Sequence, residues 1–357
     1  MSAGAVDGRI PVGLLGATGS VGQRMVALLA DHPWFRLTTV AASERSAGKR
    51  YAEAVRWVLP TPMAEAAAGL VVQQAEADQE ARILFSALDA DAAGPLEERH
   101  ARAGHLVVSN AKSHRMDGDV PLLVPEVNAG HLDLLGRQPF GGGAIVTNPN
   151  CSTIGLALVL HPLHRRFGVE RALVVTMQAV SGAGLPGVSS LVALDNVIPF
   201  IGGEEEKIET ETLKILGTLG EGGIAPAGLV VSAQCNRVPV VDGHTLCVSV
   251  SLRGSPTLDD IRDTWETFEA EPQRLALPSA PPRPVIFVDG DDVPQPRLHR
   301  DAGRGMASTV GRLRHCALLG YKFATVTHNT VRGAAGGAIL CAELVVAQRR
   351  LPGLEVP

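Results

Sequence analysis

The chain has 357 residues, 45% hydrophobic and 19% charged, which is typical of a globular protein long enough for two domains with separate cores. Its net charge of -5, without a basic block and with only 4% aromatic residues, argues against a nucleic-acid or membrane-surface role. Five cysteines, far apart and without a C-x-x-C pair, predict a reduced, cytoplasmic protein with no disulfide framework and no metal site, and we find no signal peptide or transmembrane helix.

The first predicted element is a short buried strand at residues 9–15, followed by a glycine-rich turn and a helical run from Gln23 to Leu29. Strand, glycine turn and helix in this order are typical of a dinucleotide-binding unit. The glycines let the backbone approach a pyrophosphate, and the amides at the helix start meet its charge. The candidate cofactor-binding residues in this turn are Gly16, Thr18, Gly19, Ser20 and Val21.

A second strand is predicted at 36–42, and the segment after it bears on the choice of cofactor. NAD-specific sites usually place a carboxylate near the end of this strand to bind the ribose 2′-OH. Here Ser43, Arg45, Ser46 and Lys49 surround a single Glu44. Hydroxyls and cations suit a 2′-phosphate, so the segment favours NADP, although a solvated loop of mixed charge has the same composition.

Two further strands are predicted at 82–89 and 104–110, with a polar helix between them. This alternation continues a parallel sheet. The polar loop that follows, 110–117, contains Lys112 and Arg115, whose charges can hold an anion.

The stretch 147–155 predicts a rigid turn that delivers Cys151 to the start of a helix. Pro149 biases the residue before it away from helical dihedrals, and a helix-length apolar run follows the cysteine. Unpaired N–H groups and the macrodipole stabilise a thiolate at such a position, so we expect the pKa of Cys151 below its usual value of about 8.5. An arbitrary cysteine is more often a small buried hydrophobe, but the Asn-Pro-Asn lead-in and the dinucleotide turn favour a nucleophile.

Beyond the cysteine, longer strands mixed with helices predict an α+β unit that carries the substrate site. We expect an irregular excursion at 271–297, and the glycine-containing apolar stretch 324–346 predicts the helix that closes the chain. The predicted strands of this half are 172–180, 228–232 and a long β segment, 238–252, that is interrupted by a turn at Asp242-Gly243.

Many sequence words in this order resemble the aspartate-semialdehyde dehydrogenase family, specifically the branch found in archaea and fungi. The match runs nearly from end to end. The matching words are GATGSVG at 16–22, SNAKSHRM at 109–116, PNCST at 149–153, QAVSGAG at 178–184, IGGEEEK at 201–207, NRVPVVDGHT at 236–245, QPRLHRDAG at 295–303 and HNTVRGAAGG at 328–337.

The resemblance implies an α/β fold and an enzyme. An N-terminal Rossmann-like domain with a parallel sheet, residues 1–150, would bind NADP and be completed by 329–357, where the C-terminal helix returns to it. Residues 151–328 would form an α+β catalytic and dimerisation domain, in a homodimer or a dimer of dimers. The implied reaction reduces 4-phospho-L-aspartate to L-aspartate 4-semialdehyde through a cysteine thioester, in the biosynthesis of lysine, methionine and threonine.

The resemblance also implies roles for individual residues. In catalysis these are Cys151 as nucleophile, Gln178 as its positioning partner and His244 as general acid/base. In substrate binding they are Arg237 for the α-carboxylate, Glu204 for the α-ammonium, and Lys207, Arg115, Asn110 and Lys112 for the phosphate. Further cofactor contacts are Ser181, Gly182 and Asn329. The choice of His244 among eleven histidines rests on the resemblance, and so do the roles of Glu204 and Lys207, because a Glu-Glu-Glu-Lys run by itself is typical of a solvated first helical turn.

Two alternatives were weighed against this function. Malonyl-CoA reductase, from the same branch, uses the same cysteine and hydride chemistry on a CoA thioester, but its substrate has no ammonium for Glu204 to bind. A family member without catalysis, serving as a structural subunit, is disfavoured because Cys151, Gln178, Arg237 and His244 are all retained.

Overall fold

Two six-stranded sheets organise the structure, a computed structural model that describes residues 8–357. The first sheet is entirely parallel, with the strand order β3-β2-β1-β4-β5-β6. Its strands are β1 (Ile10–Leu15), β2 (Phe35–Ala42), β3 (Val72–Gln74), β4 (Ile83–Ser86), β5 (Leu106–Ser109) and β6 (Ala144–Thr147). The strand order reverses between β1 and β4, and open α/β sheets bind ligands in the crevice at such a point.

The second sheet is mixed, with the order β10-β7-β11-β14-β13-β12, and a small hairpin of β8 and β9 lies outside it. Its strand β7, next to the edge strand β10, pairs in parallel with β10 and antiparallel with β11. The strands are β7 (Val169–Gln178), β8 (Thr218–Gly220), β9 (Gly223–Ala225), β10 (Val230–Arg237), β11 (His244–Leu252), β12 (Val285–Val288), β13 (Ser308–Cys316) and β14 (Gly320–Thr327). The α/β class and the α+β second half are confirmed.

Helices cover both sheets. The α-helices are α1 (Ser20–Leu29), α2 (Tyr51–Ala54), α3 (Glu65–Ala68), α4 (Ala90–Arg102), α5 (Pro125–Asn128), α6 (Cys151–Phe167), α7 (Ser190–Ala193), α8 (Glu204–Ile215), α9 (Leu258–Glu266), α10 (Glu271–Arg274), α11 (Pro296–His299) and α12 (Gly336–Ala347). Ala129–Arg137 and Val180–Ala183 form 3₁₀ turns, and Val331–Ala335 form a π turn that leads into α12. Among residues 8–357, no helix is long and apolar enough to cross a membrane.

Two buried clusters account for most of the core. Helix α12 packs under the first sheet, since Ile339 and Leu344 share one cluster with Val12 and Phe85. This contact confirms that the C-terminal helix returns to the nucleotide-binding half. Helix α6 packs against the second sheet, in a cluster that also contains Trp265. Between the two clusters, the π turn that leads into α12 contacts the start of α6.

Three predicted elements of the second half were wrong in detail. Residues 324–327, predicted as helix, end β14, because a short apolar run containing Thr325, Val326 and Thr327 fits a buried strand as well as a helix. Residues 238–241, predicted as the first part of the β segment 238–252, form no strand, because β10 ends at Arg237 and β11 begins only at His244. The excursion 271–297 contains the edge strand β12, which pairs with β13.

Candidate active site

The nucleophile candidate stands at the first residue of α6, as predicted. Asn150 is the N-cap, and its side-chain oxygen accepts hydrogen bonds from the amides of Ser152 at 3.0 Å and Thr153 at 3.2 Å. The π turn packs directly against the cysteine, because a Cβ added at Gly333 would lie 2.6 Å from the Cβ of Cys151. Cys151 is therefore packed between its own helix and the backbone of the π turn at Gly333.

His244, the first residue of β11, faces the cysteine. Its Nε2 lies 3.2 Å from the Sγ of Cys151, and its Nδ1 accepts a hydrogen bond from the amide of Ala179 at 3.0 Å. A backbone amide only donates, so Nδ1 is unprotonated and the neutral ring carries its proton on Nε2. The imidazole therefore presents an N–H to the sulfur.

The expected depression of the Cys151 pKa is wrong in this structure. Burial, together with the charge of Glu204, raises the pKa of Cys151 to about 12, although the charges of Arg115 and Arg237 act in the opposite direction. Burial, together with the charge of Arg237, lowers the pKa of His244 to about 3. Desolvation outweighs the helix terminus here, so thiol and imidazole are both neutral at pH 7.

Glu204, at the start of α8, joins three other residues of the site. Its Oε1 accepts from Lys207 Nζ at 2.7 Å, and its Oε2 accepts from Asn150 Nδ2 at 2.8 Å and from Gln178 Nε2 at 3.3 Å. Burial alone would raise the pKa of Glu204, but the hydrogen bond and charge of Lys207 and the two amides bring it below its usual value. The run that resembled a solvated helical turn thus begins with a buried, ionised carboxylate.

Arg115 is the buried cation on the opposite wall. Its Nη1 donates to Glu211 Oε1 at 2.9 Å and its Nη2 to the carbonyl of Asn110 at 2.8 Å, while its Nε is buried without a hydrogen-bond partner. The Asn110 side chain accepts from Asn148 at 3.0 Å, and Lys112 is exposed on the same loop. An anion in front of Arg115 would meet this loop and the guanidinium group, since Arg115 lines the cavity described next.

These groups surround one cavity of about 340 Å³. The predicted site residues that line it are Ser20, Val21, Asn110, Lys112, Arg115, Cys151, Gln178, Ser181, Gly182, Glu204, Lys207 and Asn329. Both polar atoms of the Asn329 side chain have partners. Its Oδ1 accepts a hydrogen bond from the amide of Gly243, and its Nδ2 donates one to Ser181 Oγ, each at 2.8 Å. Asn329 thereby ties the start of β11 to the 3₁₀ turn at the cavity wall.

Arg237 and His244 lie directly behind this lining. A Cβ added at Gly182 would be 2.9 Å from Arg237 Nη1 and 3.3 Å from His244 Nε2. In the structure itself, Arg237 Nη1 donates a hydrogen bond to the carbonyl of Ala179 at 2.7 Å. Only a glycine at 182 leaves both side chains within reach of a molecule in the cavity.

A second cavity, of about 660 Å³, extends from the first across the carboxyl ends of β1, β2 and β4. Gly16 has a φ of 79°, and a Cβ there would lie 2.4 Å from the carbonyl of Ala87 at the end of β4. At Gly19, the N-cap of α1, the closest such contact is 3.5 Å, and no side chain caps the helix. The amides of α1 thus remain available to a phosphate, as in dinucleotide sites.

The far end of this cavity holds part of the predicted 2′-phosphate cluster. Ser43 and Arg45 line it together with Gly16, Thr18, Gly19, Ser20 and Val21. Ser46 and Lys49 are not among the lining residues, because the chain turns back at Ser46, whose amide donates to the carbonyl of Ser43 at 2.9 Å. Glu76, which follows β3, also lines the cavity.

Sequence reasoning missed three residues that build the site. Asn150 had a signal, because Asn is a preferred N-cap and stands directly before the predicted helix. Glu211 and Lys214 had none, since acidic and basic residues on a polar helix are typical of a solvated face. Among residues 8–357, no group of three or more His, Cys, Asp or Glu side chains is placed to hold a metal ion.

The chain matches known proteins over nearly its whole length. A family model described as "Semialdehyde dehydrogenase, NAD binding domain" matches residues 11–135, and one described as "Semialdehyde dehydrogenase, dimerisation domain" matches 160–332. The aspartate-semialdehyde dehydrogenase of Methanothermobacter thermautotrophicus is 52% identical over 94% of this chain and 99% of the relative. That of Schizosaccharomyces pombe is 48% identical over 94% and 97%. The chain belongs to the aspartate-semialdehyde dehydrogenase family.

Solved structures of the family superpose on this fold. The Candida albicans aspartate-semialdehyde dehydrogenase, solved with NADP, is 42% identical with a TM-score of 0.89, and covers 96% of this chain and 100% of its own. The Vibrio cholerae aspartate-semialdehyde dehydrogenase II, complexed with ASA, is 27% identical with a TM-score of 0.76, covering 95% and 98%. The archaeal and fungal relatives confirm the branch that the sequence words indicated.

Proposed function

We propose that this protein is an NADP-dependent aspartate-semialdehyde dehydrogenase. It reduces 4-phospho-L-aspartate to L-aspartate 4-semialdehyde with release of phosphate, a step in the biosynthesis of lysine, methionine and threonine. The observation that carries the proposal is the pair of Cys151 Sγ and His244 Nε2, 3.2 Å apart, beside a cavity lined by Arg115, Lys207 and Glu204. A nucleophile, a hydrogen-bond donor and opposite charges for a zwitterionic, phosphorylated substrate thus meet at one place.

Cys151 performs the acyl transfer. Its Sγ attacks the acyl carbon of the bound aspartyl phosphate, the bond from that carbon to the phosphate oxygen breaks, and phosphate leaves with the electron pair. The product is a thioester on Cys151, which accepts hydride more readily than a carboxylate. Because the thiol is neutral in the free protein, it loses its proton as the sulfur attacks, and the departing phosphate takes that proton, so that the products are the thioester and hydrogen phosphate.

Arg115, Lys112, Lys207 and Asn110 form the proposed phosphate site. Arg115 lines the cavity, and an arginine guanidinium suits bidentate binding of an oxyanion. Arg237 is proposed to hold the α-carboxylate and Glu204 the α-ammonium. Since Glu204 is already ionised by Lys207 and the surrounding amides, no proton has to be moved before the substrate binds.

His244 acts as a hydrogen-bond donor to the sulfur, and the thiolate that leaves is reprotonated from solvent. When the tetrahedral intermediate collapses to the aldehyde, the bond from carbon to sulfur breaks and the electron pair returns to Cys151. The Nε2–H of His244 is aimed at that sulfur and stabilises the leaving thiolate. Gln178, hydrogen-bonded to Glu204 and lining the cavity, is proposed to position the acyl group.

The larger cavity fits a dinucleotide. Its glycine turn can approach a pyrophosphate, the uncapped amides of α1 face the cavity, and Ser43 with Arg45 supplies a hydroxyl and a cation for a 2′-phosphate. Ser181, Gly182 and Asn329, between the two cavities, are proposed to contact the nicotinamide end. Bound NADPH supplies the hydride for reduction of the thioester.

Three further features of the protein are proposed. Residues 1–150, of which 1–7 lie outside the described residues, are proposed to form the NADP-binding domain together with 329–357, and 151–328 the catalytic domain, which is consistent with the burial of α12 among residues of the first sheet. The chain forms a homodimer, as the dimerisation-domain match indicates, and we propose a dimer of dimers as the larger assembly. We propose a cytoplasmic location, as the five free thiols suggest.

Malonyl-CoA reductase chemistry is not favoured by any observation in this site. Glu204 lies in the cavity as a buried carboxylate, where it serves a substrate with an ammonium group.

The decisive experiment compares phosphate-dependent NADPH formation from aspartate semialdehyde with CoA-dependent oxidation of malonate semialdehyde. We expect the first reaction only, abolished in Cys151→Ser with NADP binding retained. Activity with CoA alone, or normal turnover by the serine variant, would contradict the proposal.

A further inference from the structure

Helix α8 presents one polar face to the active site along its whole length. Glu204, Lys207, Glu211 and Lys214 are spaced three or four residues apart, so their side chains share one side of the helix. Glu204 and Lys207 line the substrate cavity. Glu211 and Lys214 lie deeper, with only 2% and 7% of their surfaces exposed, and the mechanism above assigns them no role.

The Glu211 carboxylate joins two parts of the site that are distant in sequence. Its Oε1 accepts from Arg115 Nη1 at 2.9 Å, and its Oε2 accepts from the backbone amide of Asn150 at 2.7 Å. Arg115 is the buried cation of the phosphate site, and Asn150 is the N-cap directly before Cys151. Each carboxylate oxygen therefore has its own donor, one on the anion loop and one on the nucleophile helix.

Lys214 lies one helical turn after Glu211 and also binds the loop that contains Arg115. Its Nζ donates to the carbonyls of Arg115 at 2.7 Å, Asp117 at 2.7 Å and Val120 at 2.9 Å, and burial lowers its pKa to about 8. Lys214 thus binds the backbone of the loop that contains Arg115, and Glu211 binds the guanidinium of Arg115 itself. Hydrogen bonds from α8 therefore fix both the guanidinium of Arg115 and the backbone of its loop, and Nε is the guanidinium nitrogen without a hydrogen-bond partner.

We propose that Glu211 is a positioning residue that couples phosphate binding to the nucleophile, by holding the Arg115 guanidinium and the Asn150 amide in one rigid unit. The inference rests on the proposed function for the identity of the anion. Glutamine at 211 has one acceptor oxygen and an NH₂ group, so it cannot accept from both donors and leaves one of them facing another donor. Phosphate affinity should therefore fall, while binding of the α-carboxylate at Arg237, which Glu211 does not contact, should not.

The same helix offers a matched control. Glu209 is half-buried, and its Oε1 accepts from the backbone amide of Ala233 in β10 at 2.9 Å, on another side of α8. Glu209→Gln removes the same charge and keeps an acceptor for its single donor. It should leave the KM values of phosphate and aspartate semialdehyde unchanged.

The test measures phosphate binding in two ways on the full chain. Steady-state kinetics give separate KM values for phosphate and for aspartate semialdehyde. The phosphate concentration that halves the rate of Cys151 alkylation by iodoacetamide gives phosphate affinity without turnover. For Glu211→Gln we expect phosphate affinity to fall about tenfold by both measures, equivalent to about 1.4 kcal/mol, with the KM of aspartate semialdehyde within about threefold of the parent.

A double-mutant cycle separates positioning from general destabilisation. If Glu211 acts through Arg115, Arg115→Lys and the double variant with Glu211→Gln should have the same phosphate affinity. Additive losses, or equal losses for both substrates, would overturn the proposal. If Glu211→Gln does not fold, Glu211→Asp serves instead, since the shorter side chain reaches only one donor, and unchanged phosphate affinity in it also overturns the proposal. A parent enzyme without phosphate-dependent activity contradicts the proposed function, whereas the alkylation assay still tests Glu211.

Discussion

Gly333 offers a test of how tightly the nucleophile is held. A Cβ at this position would lie 2.6 Å from the Cβ and 3.0 Å from the Cα of Cys151. Carbon atoms pack at about 3.5–4.0 Å, so Gly333→Ala must separate the π turn and the cysteine by about 1 Å. A misplacement of about 1 Å at a reacting group can cost about 10²-fold in rate, equivalent to about 2.7 kcal/mol in the activation free energy.

The effect on folding should be smaller than the effect on catalysis. Overpacking a core costs about 1–3 kcal/mol, but alanine gains up to about 1 kcal/mol over glycine in a helical segment. We therefore expect Gly333→Ala to lose about 0–2 kcal/mol of unfolding free energy and about 10²-fold in kcat. The measurements are urea unfolding by circular dichroism and phosphate-dependent NADPH formation.

Two other glycines separate crowding from position. At Gly217, a Cβ would lie 2.5 Å from the carbonyl of Ala225, outside both cavities, so Gly217→Ala should lose stability and keep kcat. At Gly130 a Cβ would meet nothing within 4 Å, so Gly130→Ala should keep kcat and lose no stability. The reasoning is refuted if Gly333→Ala keeps kcat within about threefold of the parent while Gly217→Ala does not.

Four further outcomes are expected. Because burial raises the pKa of Cys151 to about 12, its alkylation rate in the free enzyme should rise about tenfold per pH unit from pH 6 to 9, and a plateau in this range contradicts a neutral thiol. His244→Ala should lower kcat by about 10²–10³-fold, because the leaving thiolate loses the hydrogen bond that stabilises it, and a kcat within about threefold of the parent would exclude this role. Arg237→Lys should chiefly raise the KM of aspartate semialdehyde, because lysine cannot bind a carboxylate bidentately; a pure kcat defect would argue for another role. Arg45→Ala should weaken NADP binding more than NAD binding, by about 1–3 kcal/mol in titrations, and equal losses would show that Arg45 does not contact the 2′-phosphate.

The sequence by itself determined the elements whose signals are local. The strand, glycine turn and helix at residues 10–29 appear as predicted, and Cys151 begins a helix behind Pro149, because these signals act on the dihedrals of neighbouring residues. The matching sequence words, in their order along the chain, also indicated the family, and with it the cofactor and the reaction.

The tertiary structure alone decided the electrostatics of the site. A helix N-terminus predicted a low pKa for Cys151, but burial and the charge of Glu204 prevail, and neither follows from the residues next to the cysteine. The run 204–207 by itself is typical of a solvated helical turn, because the partners that bury Glu204, Asn150 and Gln178, belong to other segments. Likewise, 324–327 became a strand only because β11 and β13 lie on either side of it. Local sequence sets backbone dihedrals, whereas desolvation and charge pairing depend on atoms that only the fold brings together.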